Sequence, residues 1–179
     1  MKYTGSGNNH SILFNREEIG KRVAELGERI TEHYRGEEIT VWALANGALV
    51  FAADIIRQIK CPLRLDTFTV ASYTGIESSG NPVLRSKPGL DIAGRHVLIV
   101  DDILDTGLTL DKVKSWAGKQ DAASVGICVL LDKQVSRRKV DIDVNWYGFR
   151  IPDVFVYGYG MDDQNGLFRN LPFIAHIAV

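Results

Sequence analysis

Apolar residues along the chain fall into short continuous runs, separated by segments with helical spacing. Residues 39–44, 96–100 and 125–131 are almost entirely apolar, whereas residues 65–72 alternate between apolar and polar side chains. Continuous apolar runs of this length are typical of strands buried inside a parallel sheet, and alternation is typical of a strand with one solvated face. The pattern predicts a strand in each of these four segments.

Three helices are predicted around these strands. The first begins at Asn15, an N-cap residue whose capping-box partner is Glu18, and ends at Gly36. The second covers about 48–59 and the third about 110–120. Because strands and helices alternate, we expect an α/β fold with a mostly parallel sheet flanked by helices, formed by one domain over 1–179.

Composition narrows the classes of function. The chain has 179 residues and a net charge of −1 without a basic cluster, which predicts no surface for nucleic acid. Cys61 and Cys128 are too few for a disulfide framework and lie in or beside apolar stretches, so both are expected in the core. The sequence has no apolar segment of membrane-spanning length and no signal-peptide core, so we expect a cytoplasmic protein without a membrane partner.

Two adjacent carboxylates, Asp101 and Asp102, follow the second apolar run, and a turn over 103–109 separates them from the third helix. A site built where a parallel strand passes into a helix lies at the carboxyl edge of the sheet, where open α/β folds bind ligands. Residues 105–109 have the parts of a phosphate site, because Gly107 permits close backbone approach and helix-terminal amides bind anions. Carboxylates repel phosphate, so the acid pair is expected to bind sugar hydroxyls or a hydrated Mg²⁺ beside it.

The stretch 96–109, HVLIVDDILDTGLT, resembles the diphosphoribose-binding signature of the type I phosphoribosyltransferases. The resemblance implies that the acid pair holds the ribose hydroxyls of phosphoribosyl pyrophosphate and that the following loop holds its 5′-phosphate. The loop residues are Asp105, Thr106, Gly107, Leu108 and Thr109. The resemblance also implies that family's fold, in which terminal segments form a small hood over the sheet.

Other proteins also place acids directly after strands. A strand that simply ends in an acidic turn is one alternative, and flavodoxin-like receivers and Walker B strands are two others. A receiver needs a further acid at another strand end and a lysine late in the chain, and a Walker B protein needs a GxxxxGK[ST] loop. The sequence has no such loop. The phosphoribosyltransferase interpretation accounts for the whole pattern.

A second group of candidate site residues, which includes Lys133 and Phe155, lies in the last third of the chain. Taken singly, a lysine after a strand is usually solvated and an aromatic among valines is usually core. Together with the segment 146–162, WYGFRIPDVFVYGYGMD, they resemble the purine pocket of hypoxanthine-guanine phosphoribosyltransferases. The resemblance implies that Lys133 binds the 6-oxo group, Phe155 stacks on the ring, the backbone of Val156 reads the purine edge and Met161 flanks the exocyclic position. Asp162, which closes the segment, also belongs to the predicted purine-binding residues. Since a lysine only donates hydrogen bonds, adenine is disfavoured.

The resemblance further implies a Mg²⁺ cofactor, anchored by Asp101, Asp102 and Asp162, with Arg169 as a contact of the pyrophosphate. Asp105 is then the candidate catalytic residue, which removes the N7 proton of the incoming base. The alternative is that Asp105 only caps and shapes the turn.

Residues 73–90 form a long glycine-, serine- and proline-containing segment. Loops of this length in compact domains are usually functional or disordered. Ser72 and Tyr73 match a Ser-Tyr pair that, by the resemblance, helps a flexible lid to cover the reacting centre on the pyrophosphate side. A lid would exclude water from a reactive intermediate, whereas the alternative is a linker without function.

The chain departs from the family pattern in the loop that is expected to bind pyrophosphate. Relatives typically have Leu-Lys-Gly-Gly with a cis peptide, but here Leu44 is followed by Ala45, Asn46 and Gly47. Asparagine tolerates positive φ better than most side chains, so the loop shape is expected to survive without the lysine charge. A cis bond after Ala45 follows by analogy alone. The first acid, Asp101, also stands where many relatives have Glu.

These features predict Mg²⁺-dependent transfer of the 5-phosphoribosyl group from phosphoribosyl pyrophosphate to N9 of hypoxanthine or guanine, in purine salvage. The products would be IMP or GMP and pyrophosphate, and the resemblance implies a homodimer or homotetramer. A transferase specific for xanthine or for a pyrimidine is one alternative. Another is a regulator that senses phosphoribosyl pyrophosphate, but such a protein needs a nucleic-acid surface.

Overall fold

The computed structural model describes residues 10–71, 83–84, 88–163 and 165–177. In chain order its elements are β1 His10–Phe14, α1 Arg16–His33, β2 Ile39–Ala45, α2 Leu49–Gln58, β3 Leu63–Ala71, β4 Val83–Leu84, β5 His96–Leu104, α3 Leu108–Gly118, β6 Ser124–Lys133, β7 Trp146–Ile151, β8 Val156–Tyr157 and β9 Ile174–Ile177. The capping box between Asn15 and Glu18 is present at the start of α1, as predicted.

Five parallel strands form the centre of the main sheet, in the order β3-β2-β5-β6-β7, and β4 pairs antiparallel with the edge of β3. Neighbouring residues of a strand point to opposite faces. Val41 and Ala43 therefore pack into the core with α1 and α2, whereas Trp42 and Leu44 pack into the core with α3. Both faces are covered, which explains why β2 is a continuous apolar run. The predicted α/β fold is confirmed.

Three predicted boundaries at the carboxyl edge of the sheet are wrong. Elsewhere, β3 begins at Leu63 rather than at 65, and α1 ends at His33, three residues before Gly36. Strand β5 continues through the acid pair to Leu104, and α3 begins at Leu108 rather than near 110. Gly107, with a φ of 84°, reverses the chain directly in front of the helix and so shortens the turn to residues 105–107. Strand β6 continues to Lys133, past the predicted end at 131, because its pairing with β7 extends that far.

Strands β1, β9 and β8 form a separate three-stranded antiparallel sheet. This sheet is the hood expected from terminal segments. The sequence did not predict β1, because its partner β9 lies at the other end of the chain and the strand has no strong local pattern. Phe14 at the end of β1 stacks on Phe149 of β7, with ring centroids 3.9 Å apart, and so ties the hood to the main sheet.

Both cysteines are free thiols that pack with the core, as expected: Cys128 is buried, and the half-buried Cys61 packs against the same core. Burial raises the pKa of Cys128 to about 12 and also raises the pKa of Cys61, so neither is a reactive thiolate at neutral pH. None of the helices in the described ranges combines the length and the apolar character that crossing a membrane requires.

Most of the predicted lid, including Ser72 and Tyr73, lies outside the described residues. Its described parts are attached to the main sheet at two points. Strand β4 pairs with β3, and the amides of Gly89 and Leu90 donate to Asp66 Oδ2 at 2.6 and 3.0 Å. Asp66 of β3 therefore anchors the end of this segment, while the closing motion itself stays a prediction.

Candidate active site

A cavity of about 440 Å³ opens at the carboxyl ends of β2 and β5. It brings together the loop after β2, the acid pair, the turn before α3 and two residues that follow the hood strand β8. The lining residues are 44–47, 101–107, 109 and 110, together with Asp162 and Arg169. Every described residue that the sequence assigned to ribose, metal or pyrophosphate therefore lies at one cavity, and so does each of the phosphate-loop residues except Leu108.

Of the acid pair, Asp101 is buried at this cavity and Asp102 is half-buried. Burial raises the pKa of Asp101 well above its ordinary value, and the negative charge of Asp102 beside it adds to the effect. Burial also raises the pKa of Asp102, but the amide of Ile103, which donates to Asp102 Oδ1 at 2.9 Å, and the charge of Arg169 oppose that rise. Two adjacent carboxyls with raised pKa values favour a ligand that donates hydrogen bonds or supplies positive charge.

The loop after β2 lies directly on the acid pair. A Cβ atom on Gly47 would sit 1.9 Å from Asp102 Oδ2, so only glycine fits without displacing the carboxylate. On its other side the loop packs against the segment after β8. A Cβ atom added to Gly160 would lie 2.3 Å from the Gly47 carbonyl oxygen. The peptide bond between Ala45 and Asn46 is cis, as the family resemblance implies.

The phosphate loop leaves the first amides of α3 available to a ligand. Gly107 is the N-cap of this helix and has no side chain with which to satisfy them. The β6–β7 connection supports the loop from outside the cavity, because the amides of Lys139 and Val140 donate to the Thr106 carbonyl at 2.9 and 3.3 Å. A Cβ atom on Gly107 would lie 2.7 Å from the Val140 carbonyl oxygen, so close packing as well as positive φ requires glycine here.

Asp105 has one carboxylate oxygen engaged and one without a partner. Its Oδ2 accepts a hydrogen bond from Arg137 Nη2 at 2.9 Å, whereas its Oδ1 is buried and has no hydrogen-bond partner among the residues that the structure describes. A buried oxygen of this kind is costly unless a ligand supplies a donor. The geometry therefore presents Oδ1 as an acceptor for a bound molecule.

The predicted purine group lies beside this cavity and does not line it. Lys133 ends β6 with its side chain only 8% exposed, and its Nζ lies 3.4 Å from Asp153 Oδ1. Phe155 is 42% exposed, unlike most large apolar side chains, and so presents a free aromatic face. Val156 belongs to the edge strand β8 of the hood. The Met161 side chain is buried in the main core, so its assignment to the exocyclic position stays a prediction.

Residues 10–164 match the model of a family described as "Phosphoribosyl transferase domain". The chain belongs to the phosphoribosyltransferase family. It is 42% identical over 172 residues to the hypoxanthine phosphoribosyltransferase of Haemophilus influenzae, covering 94% of this chain and 95% of that one. It is 38% identical to the hypoxanthine-guanine phosphoribosyltransferase of Staphylococcus epidermidis, covering 92% and 91%. A crystal structure of a hypoxanthine-guanine phosphoribosyltransferase from Bacillus anthracis superposes with a TM-score of 0.88 at 38% identity, covering 96% and 99%.

The resemblance to hypoxanthine-guanine phosphoribosyltransferases is therefore confirmed, and the chain is an enzyme of the glycosyltransferase class. Among the described residues, no three His, Cys, Asp or Glu side chains form a group able to hold a metal by themselves. Asp162 is instead paired with Arg169. The carboxylates Asp101, Asp102 and Asp162 still suit Mg²⁺, because this ion is usually held by one or two carboxylates plus substrate phosphates.

Sequence reasoning missed two charged residues near the site of this phosphoribosyltransferase. Arg137 pairs with Asp105 and with Asp153, although these partners are 32 and 16 residues away in the chain. Asp153 lay inside the quoted family segment, but no spacing rule connects it with Arg137. Only the folded arrangement of the β6–β7 connection reveals their contact.

Proposed function

We propose that this chain transfers the 5-phosphoribosyl group of phosphoribosyl pyrophosphate to N9 of a 6-oxopurine, hypoxanthine or guanine. The products are IMP or GMP and pyrophosphate. The observation that carries the proposal is the position of Asp105, whose unpartnered Oδ1 is buried in the cavity while its Oδ2 is linked through Arg137 and Asp153 to Lys133. The activities of the named relatives support the same reaction.

The cavity supplies the groups that the sugar phosphate needs. Ribose hydroxyls donate hydrogen bonds, and the buried Asp101 and the half-buried Asp102 are acceptors for them. The 5′-phosphate is held by the free amides at the start of α3 and by the hydroxyls of Thr106 and Thr109, which line the cavity. Nearby carboxylates also stabilise positive charge at the anomeric carbon as the leaving group departs.

The neighbouring strand ends supply the groups that the base needs. Lys133 donates to the 6-oxo group, and the exposed face of Phe155 covers the ring. As the N9 lone pair bonds to the anomeric carbon, pyrophosphate leaves with the electrons of the broken C–O bond. The N7 proton passes to Asp105 Oδ1. Adenine presents an amino group to Lys133, so two donors meet and no hydrogen bond forms.

The pyrophosphate is expected at the end of the cavity formed by Ala45, Asn46, Gly47 and Arg169. Ser72 and Tyr73 are proposed to cover it from the lid. The anchors for Mg²⁺ are Asp101, Asp102 and Asp162, and the ion, when bound, would neutralise charge on the leaving pyrophosphate. The chain lacks the lysine that relatives typically have in this loop. Among the described residues, Arg169 is the cationic side chain that lines this part of the cavity.

The test is a transfer assay with Mg²⁺ and phosphoribosyl pyrophosphate, in which hypoxanthine, guanine, xanthine and adenine are offered in parallel. We expect nucleotide and pyrophosphate to form from hypoxanthine or guanine while adenine is untouched. Xanthine is included because the 2-position of the base is the least constrained by the described residues. Turnover of adenine, or no turnover of hypoxanthine and guanine, would contradict the proposal.

A further inference from the structure

A chain of ion pairs joins the purine group to the phosphate loop. Lys133 Nζ lies 3.4 Å from Asp153 Oδ1, Asp153 Oδ2 accepts a hydrogen bond from Arg137 Nη1, and Arg137 Nη2 donates to Asp105 Oδ2 at 2.9 Å. The four residues come from the end of β6, the β6–β7 connection, the β7–β8 loop and the turn before α3. The ion pairs therefore link Lys133, the proposed donor to the 6-oxo group, with Asp105, the proposed acceptor of the proton of the base.

These linked ion pairs are poorly placed to stabilise the fold. The side chains of Arg137 and Asp153 are each 45% exposed and that of Asp105 is 36% exposed. Exposed ion pairs contribute little to stability, because water screens them and long side chains lose freedom when they pair. Hydrogen bonding to Arg137 lowers the pKa of Asp153 nonetheless, so the pair is charged throughout the neutral range. A role in geometry explains the arrangement better than a role in stability.

The guanidinium of Arg137 contacts both carboxylates at once, through two different nitrogens. Only a planar fork can do this, since a lysine ammonium is a point charge that cannot reproduce the two fixed directions. The backbone near Arg137 is also held in place. Arg138 donates to the Lys133 carbonyl at 2.6 Å, and the Lys139 amide donates to the Thr106 carbonyl.

We propose that Arg137 and Asp153 are positioning residues for 6-oxopurine transfer, an inference that rests on the proposed function. Arg137 holds Asp105 Oδ2, which fixes the carboxylate so that Oδ1 stays buried and aimed at the proton of the base. Asp153 Oδ1 lies 3.4 Å from Lys133 Nζ, so it orients the donor to the 6-oxo group. Arg137 joins both arrangements, so they form as a unit.

The roles predict different kinetic effects. Without the Arg137 fork, proton transfer to Asp105 slows, so kcat falls while the KM for phosphoribosyl pyrophosphate is unchanged. Without the Asp153 charge, Lys133 is less well oriented, so the KM for hypoxanthine rises. Because the two residues act through one guanidinium, the effect of the double variant is smaller than the product of the single effects.

The test compares Arg137→Gln, Arg137→Lys, Asp153→Asn and the double variant Arg137→Gln/Asp153→Asn with wild type. Arg35→Gln is the matched control, because it removes an exposed arginine–carboxylate pair with Glu32 at the end of α1. Kinetics with hypoxanthine and with phosphoribosyl pyrophosphate are measured for each, together with Tm. We expect a fall in kcat of about tenfold for Arg137→Gln and a rise in hypoxanthine KM of about tenfold for Asp153→Asn, each with Tm near that of wild type.

The Arg137→Lys variant tests whether catalysis needs the forked geometry of the guanidinium or only its positive charge. We expect it to resemble Arg137→Gln, and full recovery by lysine would overturn the inference. A rise in the KM for phosphoribosyl pyrophosphate with unchanged kcat would also overturn it, by showing that Arg137 binds the sugar phosphate. So would a loss of Tm that accounts for the loss of activity. If wild type transfers to hypoxanthine but every variant matches Arg35→Gln, only this inference fails; if wild type does not transfer, the proposed function fails and the inference falls with it.

Discussion

The two halves of the candidate active site are built in different ways. The ribose- and 5′-phosphate-binding part of the sugar-phosphate half comes from one continuous stretch, 101–109, which is held by backbone geometry and close packing. The purine half is assembled from two separate segments, the end of β6 and the β7–β8 loop, where Lys133 pairs with the half-exposed Asp153 and Phe155 has an exposed ring. The first half is therefore rigid and intolerant of added atoms, whereas the second can be changed without disturbing the core.

This difference matches what each half must do. The sugar phosphate is the same whichever base is used, so its site can be fixed by backbone amides and glycines that permit no variation. In the proposed function the base is selected by a few side chains at strand ends, and we expect their replacement to change specificity at little cost in stability. The comparison leads to predictions that separate steric damage, loss of base recognition and gain of stability.

The largest effect is expected in the rigid half. Gly107→Ala would place a methyl group 2.7 Å from the Val140 carbonyl and strain a backbone with a φ of 84°. The phosphate loop must shift, and a displacement of about 1 Å at a reacting centre can cost about a hundredfold in rate. We expect at least that loss in kcat/KM for phosphoribosyl pyrophosphate, measured by initial rates.

Gly118→Ala is the matched control, because it lies at the other end of α3 and an added Cβ would meet no atom within 4 Å. We expect its activity to equal that of wild type. Equal activity of both variants would show that the phosphate loop is as adaptable as the purine half.

A smaller and more selective effect is expected at Lys133. Lys133→Met keeps the length of the side chain but removes the donor to the 6-oxo group. Hydrogen bonds to charged groups contribute about 1.5–3 kcal/mol, so kcat/KM for hypoxanthine should fall by about 10–100-fold. The KM for phosphoribosyl pyrophosphate should not change, because Lys133 does not line the sugar-phosphate cavity. A parallel loss for both substrates would show that the two halves are not separable.

The smallest effect is a gain in stability with loss of function. Burial raises the pKa of Asp101 in the folded protein, so its contribution to stability is present at low pH and is lost as pH rises through the raised pKa. Asp101→Asn cannot ionise, and it should therefore raise Tm more at pH 8 than at pH 5. In a chain of this size about 1 kcal/mol corresponds to about 2–4 °C. The same variant should bind phosphoribosyl pyrophosphate more weakly.

Thermal unfolding at the two pH values, with Asp111→Asn as a control in the first turn of α3, measures this effect. A Tm that falls at pH 8 would mean that the Asp101 carboxylate stabilises the folded protein, contrary to the account given above.

Much of the fold was predictable because it rests on local patterns. The continuous apolar runs predicted β2, β5 and β6, and Asn15 with Glu18 fixed the start of α1. The boundary errors at the carboxyl edge arose because pairing with neighbouring strands carries β5 and β6 past their apolar runs. Strand β1 was missed for a related reason, since only its distant partner β9 makes it a strand.

The site was predictable to the extent that it is continuous in sequence. The acid pair and the phosphate loop follow one another along the chain, so a single stretch indicated both. The contacts of Arg137 could not be found in this way, because an exposed arginine has no sequence feature that identifies its partners. The same holds for the packing of Gly47 on Asp102, which depends on how closely the loop after β2 approaches β5.

The two halves meet at Asp105, and the account depends most on its unpartnered oxygen. The decisive measurement is kcat of Asp105→Asn with hypoxanthine at saturating phosphoribosyl pyrophosphate, together with the affinity for phosphoribosyl pyrophosphate alone. We predict that kcat falls by well over tenfold, which corresponds to more than about 1.4 kcal/mol, while the affinity is nearly unchanged. Turnover that stays within about tenfold of wild type would contradict proton transfer to Asp105. It would also contradict the proposal that Asp105 connects the sugar-phosphate half of the site with the purine half.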